Sequence, residues 1–213
     1  MEPLDPAEVR VLGALLEKEA TTPEYYPLSL NALVNACNQK SNRDPVVDYD
    51  EDTVYDAVNR LREKKLAVMI TGSGRVNKYG QRISESLNLG RRELAVLCTL
   101  LLRGPQTLGE IKDRSERMFS FADASEAESV LDKLAEWPII ALARKLPRQA
   151  GQKEARYTHL LSGEPRLEAS ADDLSEAAPP PTRVAQLEQD LSRLRAEFNE
   201  LKKRFDDLEA QLR

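Results

Sequence analysis

The chain repeats itself. Shifted by 85 positions, residues 8–18 fall on residues 93–103 with five of eleven identical: Glu8/Glu93, Val11/Val96, Leu12/Leu97, Leu15/Leu100 and Leu16/Leu101. A repeat at this distance means one structural unit used twice, so the second copy must fold as the first does. Each run carries an apolar stripe at helical spacing, Val9, Leu12, Leu15 and Leu16 in one copy and Leu94, Leu97, Leu100 and Leu101 in the other. Asp5-Pro6-Ala7-Glu8 predicts the start of the first helix, with an acidic N-cap, proline at the first helical position and glutamate at N3.

The order that follows is the same in both copies. A second helix is predicted from 28 to about 38, and again from 108 to about 118, where Thr107-Leu108-Gly109-Glu110 forms a capping box. A third has Val54, Ala57, Val58 and Leu61 at i, i+3, i+4 and i+7, a spacing repeated by Ala127, Val130, Leu131 and Leu134. The apolar period then changes from 3.6 to 2. Leu66, Val68 and Ile70 alternate with their neighbours, Gly72-Ser73-Gly74 turns the chain, and residues 75–83 return. In the second copy residues 139–142 lead out, residues 147–151 turn, and residues 155–161 return, with Tyr79 and Tyr157 in matching places. Three helices closed by a two-stranded hairpin, used twice, predict a mainly α chain with small β-hairpins: two tandem winged helix-turn-helix domains, residues 1–88 and 89–163.

Residues 164–182 lose this periodicity and end in Pro179-Pro180-Pro181, a composition that predicts a flexible, proline-rich linker. Beyond it, Val184, Leu187, Leu191, Leu194, Phe198, Leu201, Phe205, Leu208 and Leu212 alternate spacings of three and four, which predicts a coiled-coil helix over 183–213. A parallel, in-register pair would set Arg183 against Glu188, Asp190 against Arg195, Glu197 against Lys202 and Arg204 against Glu209, all attractive. An antiparallel pair would set like charges together. The expected state is a parallel homodimer; the alternative is a helix that folds back on its own winged-helix domains.

Composition narrows the chemistry. One histidine, His159, and two cysteines, Cys37 and Cys98, leave little for histidine-based catalysis, a disulfide framework or a four-ligand zinc site. With 5% aromatic residues, an aromatic-lined ligand pocket is not expected either. No apolar run reaches the length of a membrane span, and Met1-Glu2-Pro3-Leu4-Asp5 has neither the basic nor the apolar part of a secretory signal. The expectation is a cytoplasmic, non-enzymatic protein with no cofactor, no metal and no membrane contact.

Nucleic acid is the first partner to weigh, because winged helices commonly bind it. Hairpin one carries Arg75, Lys78 and Arg82, and hairpin two carries Arg144, Lys145, Arg148, Lys153 and Arg156 with only Glu154 opposed. Such cations either suit phosphate contact, where charge matters and sequence does not, or form a solvated hairpin surface. On helix two, Asn31, Asn35 and Asn38 form a stripe running into Lys40, Asn42 and Arg43. That stripe is either a polar recognition face or a helix end whose asparagines bond the long loop beyond it. Against DNA stands the charge balance of −3, +1 and −3 over residues 1–90, 91–165 and 166–213. The third helices also begin with acids, Asp50-Glu51-Asp52 and Asp123 with Glu126, where recognition helices meet DNA. The first expectation is a DNA-contacting, regulator-like homodimer; the alternative is a scaffold that docks a protein partner on the same surfaces.

Several blocks carry a resemblance: Leu16-Glu17-Lys18, Thr21-Thr22-Pro23-Glu24, Tyr26-Pro27-Leu28-Ser29, Ala36-Cys37-Asn38-Gln39-Lys40-Ser41-Asn42-Arg43, Leu101-Leu102-Arg103-Gly104 and residues 157–163. Over about residues 4 to 163 the chain resembles the YceH-like family of uncharacterised bacterial proteins. The resemblance implies two winged-helix domains, a bacterial cytoplasmic setting and a variable helical tail. It implies no catalytic residue and no activity.

Overall fold

The computed structural model describes residues 2–71, 76–148 and 152–165. Helix α1 spans Pro6–Thr21, and its start is the capping box expected there, with the Asp5 carboxylate accepting from the Glu8 amide and the Glu8 side chain from the Asp5 amide, both at 2.8 Å. A 3₁₀ turn, Pro23–Tyr25, leads to strand β1, Leu28–Ser29, and helix α2, Leu30–Cys37. Helix α3 spans Glu51–Glu63, and strands β2, Ala67–Ile70, and β3, Lys78–Gln81, form the first hairpin. A short helix α4, Ile83–Leu87, ends the first copy.

The order then recurs: α5 Arg91–Arg103, β4 Gln106–Thr107, α6 Leu108–Ser115, α7 Ala124–Ala135, β5 Ala143–Lys145 and β6 Arg156–His159. The result is a mixed α and β structure with two small antiparallel sheets, ordered β1-β3-β2 and β4-β6-β5. The matching tyrosines occupy one ladder position, Tyr79 opposite Leu28 and Tyr157 opposite Gln106. Both are buried.

Several boundaries differ from the pattern in the sequence. The two-residue strands β1 and β4 are too short to show a period, so they read as helix starts. The first return strand is shorter than expected because Ile83 already begins α4. In the second copy the lead strand starts at Ala143 rather than near residue 139. Pro138 has no amide to give a ladder, and the Trp137 indole instead donates to the Leu87 carbonyl of α4 at 2.9 Å.

One hydrophobic cluster runs through both copies, which lie in a single compact unit, Met1–Arg166. Helices α1 and α5 meet at equivalent repeat positions: the Cys98 thiol points at the Gly13 carbonyl, 3.4 Å away. Gly13 is glycine because a Cβ there would lie 2.7 Å from Cδ2 of Leu102. At the far end, the Leu4 amide donates to the Leu161 carbonyl at 2.8 Å, tying the first described residues to the last. Among the described residues no helix is long and apolar enough to cross a membrane. The linker and coiled-coil expectations, including all nine apolar positions from Val184 to Leu212, fall on residues outside those described, apart from Glu164 and Pro165 at the linker's start.

Candidate nucleic-acid interface

The unusual block after α2 builds a clasp. Asn38 caps α2, and its side chain holds Tyr49 by both backbone groups, donating to the carbonyl at 2.8 Å and accepting from the amide at 2.9 Å. The loop between them is fastened from two sides. From α1, Arg10 donates to the carbonyls of Cys37 at 3.1 Å and Pro45 at 2.5 Å. The Asp44 amide donates to the Leu102 carbonyl of α5 at 2.9 Å. Asn31 and Asn35 bond one another at 3.2 Å on the exposed side of α2.

Arg43 requires a correction. It was expected to face a polyanion, yet its side chain and that of Glu17 are both 0% exposed, and its two terminal nitrogens reach the Glu17 oxygens at 3.0 and 2.5 Å. The same guanidinium donates to the Ala36 carbonyl at 2.8 Å. Its partner lies 26 residues earlier, on α1. Arg117 of the second copy closes on the same carboxylate. Burial alone would raise the Glu17 pKa, but the hydrogen bond and charge of Arg43, with Arg117 behind, hold it below the usual carboxylate range. Asn42, in the left-handed region at φ 59°, accepts from Arg103 at 2.6 Å. Lys40 is exposed.

From this clasp a row of arginines runs to the second hairpin. Arg103 ends α5, Arg114 lies on α6, Arg117 follows it and Arg156 starts β6. Arg103 is pushed below its ordinary value by burial first and then by the charges of Arg114 and Arg117, so these cations crowd one another. Glu110 bridges the other end, 3.2 Å from Arg114 and 3.2 Å from Arg156, while also capping α6 through Thr107. Burial tends to raise Glu110, but the Thr107 amide, Arg114 and Arg156 together hold it low. Counting Arg43, Glu17 and Asp44, which acts on Arg103, the row sets five arginines against three carboxylates. Arg114, Arg117 and Arg156 keep about a third of their side chains in solvent, at 32%, 36% and 37%.

The hairpins are less cationic than their sequence implies. Arg144 pairs with Glu164, and Lys145 with Glu128 at 3.3 Å, the latter also lying 5.3 Å over the Tyr157 ring. Neither acid is in the hairpin, which is why only Glu154 seemed to oppose it. Arg148 and Lys153 are exposed with no carboxylate partner among the described residues. In hairpin one, Lys78 is exposed, Arg82 pairs with Glu85 at 3.4 Å, and Arg75 lies outside the described residues. The row therefore joins Arg156 to the Asn42 loop through Arg103, Arg114 and Arg117, three residues that sequence patterning did not single out. For Arg103 and Arg114 the signal was basic character in the last turns of α5 and α6, which helix ends favour anyway, and Arg117 lies just past α6.

The acidic helix starts act as caps. Asp50 accepts from the Thr53 amide at 2.8 Å and Asp123 from the Glu126 amide at 2.9 Å. The outer face of α3 remains anionic, with Glu51, Asp52 and Asp56 exposed around Tyr55, which is 45% exposed. Both cysteines are buried; burial pushes the Cys37 thiol up to about 12 and the Cys98 thiol higher still, so both stay protonated at neutral pH.

Residues 4–152 match the family model described as "Protein of unknown function, DUF480". A UPF0502 protein of Solibacter usitatus (strain Ellin6076) is 53% identical over 205 residues, covering 95% of this chain and 98% of its own length. Another UPF0502 protein, from Pelobacter propionicus (strain DSM 2379 / NBRC 103807 / OttBd1), is 50% identical over 216 residues, covering 98% of this chain and 97% of its own. A third, from Citrifermentans bemidjiense (strain ATCC BAA-1014 / DSM 16622 / JCM 12645 / Bem), is 54% identical over 191 residues, covering 89% and 88%.

Proposed function

The chain belongs to the DUF480 family of bacterial proteins of unknown function, and from its own geometry we propose a non-enzymatic, cytoplasmic, tandem winged-helix protein that contacts DNA. The repeated order of helix, two-residue strand, two helices and hairpin, with the last strand central in each sheet, supports the winged-helix assignment. The arginine row carries the DNA assignment. There, among the described residues, cations from both copies converge and outnumber the acids they meet. Docking led by this row and by Arg148 and Lys153 makes phosphate contact through exposed cations rather than through the acidic starts of α3 and α7. The row reads charge along the backbone, so affinity depends more on salt than on sequence.

A salt series with a fluorescent duplex of mixed sequence tests this. Between about 50 and 200 mM salt, engagement of roughly five phosphates gives a log–log slope near −4.5, and Arg103→Gln with Arg114→Gln flattens it by about two. No binding at the lowest salt, or a slope unmoved by the double variant, rejects the proposal. In that event the anionic α3 face around Tyr55 favours the second reading, a scaffold docking a basic protein segment.

The same proposal includes a homodimer through a parallel coiled coil over 183–213. Leu194→Cys is expected to crosslink two chains under mild oxidation, because equivalent d positions face one another in a parallel pair. Monomer alone after oxidation defeats the dimer.

A further inference from the structure

A second feature of the seam is independent of nucleic acid. The contact between α1 and α5 leaves a cleft toward each of its ends. Shifted by 85 positions, Leu94 and Ala95 of one cleft fall on Val9 and Arg10 of the other, and Leu16 falls on Leu101. The clasp lines the Val9 cleft with Pro45, Val47 and Tyr49. In the second copy residues 116–123 stand where the first has 38–50, and this shorter loop contributes Met118 to the Leu94 cleft. The Leu94 cleft is the roomier, about 400 Å³ against 240 Å³. Its chemistry also differs: where the Val9 cleft has Pro6 and Gly104, this one has Arg91, at the start of α5, and Glu19, near the end of α1. Neither forms an ion pair among the described residues. The half-buried Glu19 carboxylate accepts at 2.7 Å from the neutral Gln81 side chain through Oε2, while Oε1 takes no partner there and is open to solvent. Burial holds its pKa above the usual carboxylate range, against the pull of that bond. Arg91 is exposed. One cleft with apolar walls thus carries an unanswered charge of each sign.

We propose that this cleft binds a free amino acid with an aliphatic side chain. The ligand's carboxylate accepts from the Arg91 guanidinium, a planar donor suited to two-pronged contact with a carboxylate. Its ammonium group donates to Glu19, supplying the positive charge that the half-buried carboxylate lacks. The side chain covers Leu16, Leu94 and Met118, whose thioether adapts to differing apolar shapes. The volume lies toward the lower end of the roughly 300–1,000 Å³ of small-molecule pockets, which suits a compact ligand. An uncharged molecule would leave both ions unanswered, and a simple amine or acid would answer one of them.

Met118 is one of three methionines, so labelled methionine methyls give at most three NMR signals, and Met118→Leu identifies the one in the cleft. Titrating the full chain with norleucine is expected to move the Met118 signal saturably. N-acetylnorleucine, which has no ammonium group, and norleucinamide, which has no carboxylate, should each bind at least about tenfold more weakly. Glu19→Gln should erase the advantage over N-acetylnorleucine and keep that over norleucinamide, and Arg91→Gln should do the reverse. Ala20→Trp, at an exposed position lining the cleft, fills it and abolishes the response. The proposal is overturned by an unmoved signal at about 20 mM norleucine or by equal affinity for all three ligands. An undiminished response in Ala20→Trp, or parental preferences in Glu19→Gln or Arg91→Gln, overturns it as well.

Discussion

Replacing Glu17 by leucine is expected to cost about 3–5 kcal/mol of folding stability, the range for stranding one member of a buried ion pair. Arg43 would be left fully enclosed, held by the Ala36 carbonyl but with no negative charge beside it, and Arg117 would lose its tie to the first copy. Chemical denaturation at pH 7 reads the loss directly. Removing both ends together, Glu17→Leu with Arg43→Met, should recover a large part, because two apolar residues of similar volume need no compensation. A single variant within about 1 kcal/mol of the parent would mean that the pair contributes little, and that the clasp is held by its backbone bonds instead.

Acid should destabilise the protein well before its carboxylates titrate. Burial pushes His159 down to about 4, against an ordinary value near 6.5. The unfolded chain therefore binds a proton that the folded chain refuses, and stability falls as pH drops from about 6.5 toward 4. At pH 5 the loss relative to pH 7.5 amounts to about 2 kcal/mol, since each unit is worth about 1.4. Glu17 acts in a different window: its lowered pKa stabilises the fold above about 4.5, and that contribution fades only below. Urea midpoints of the parent and of His159→Gln, measured from pH 7.5 to 5, separate the two. The parent should lose stability across this range and the variant should hold nearly level. Parallel curves would show that the imidazole is not the cause.

What patterning could and could not reveal follows from range. The stripes of α1, α3, α5 and α7 are local, set by residues three and four apart, so the helices and their repetition were legible. So were the two capping boxes and the shared tyrosine position. The strands β1 and β4 were not, since two residues carry no period and exist only because β3 and β6 pair with them. Arg43 was misjudged for the same reason at longer reach: next to Lys40 and Asn42 it looks like a surface cation, and only Glu17 on another helix makes it an interior one. Conversely, Arg103, Arg114, Arg117 and Arg156 look unremarkable singly, because their convergence depends on how the second copy folds against the clasp. Hairpin cations were overcounted because Glu110, Glu128 and Glu164 come from other parts of the chain.

The contact between Gly13 and α5 has a consequence for how such a protein can change over generations. A duplicated segment ordinarily gains liberty, one copy drifting while its twin keeps the original duty. Here a methyl group added at Gly13 collides with Leu102, so a gain of bulk in either helix must be answered by a loss in the other. Where the two helices touch, they are bound to vary in concert.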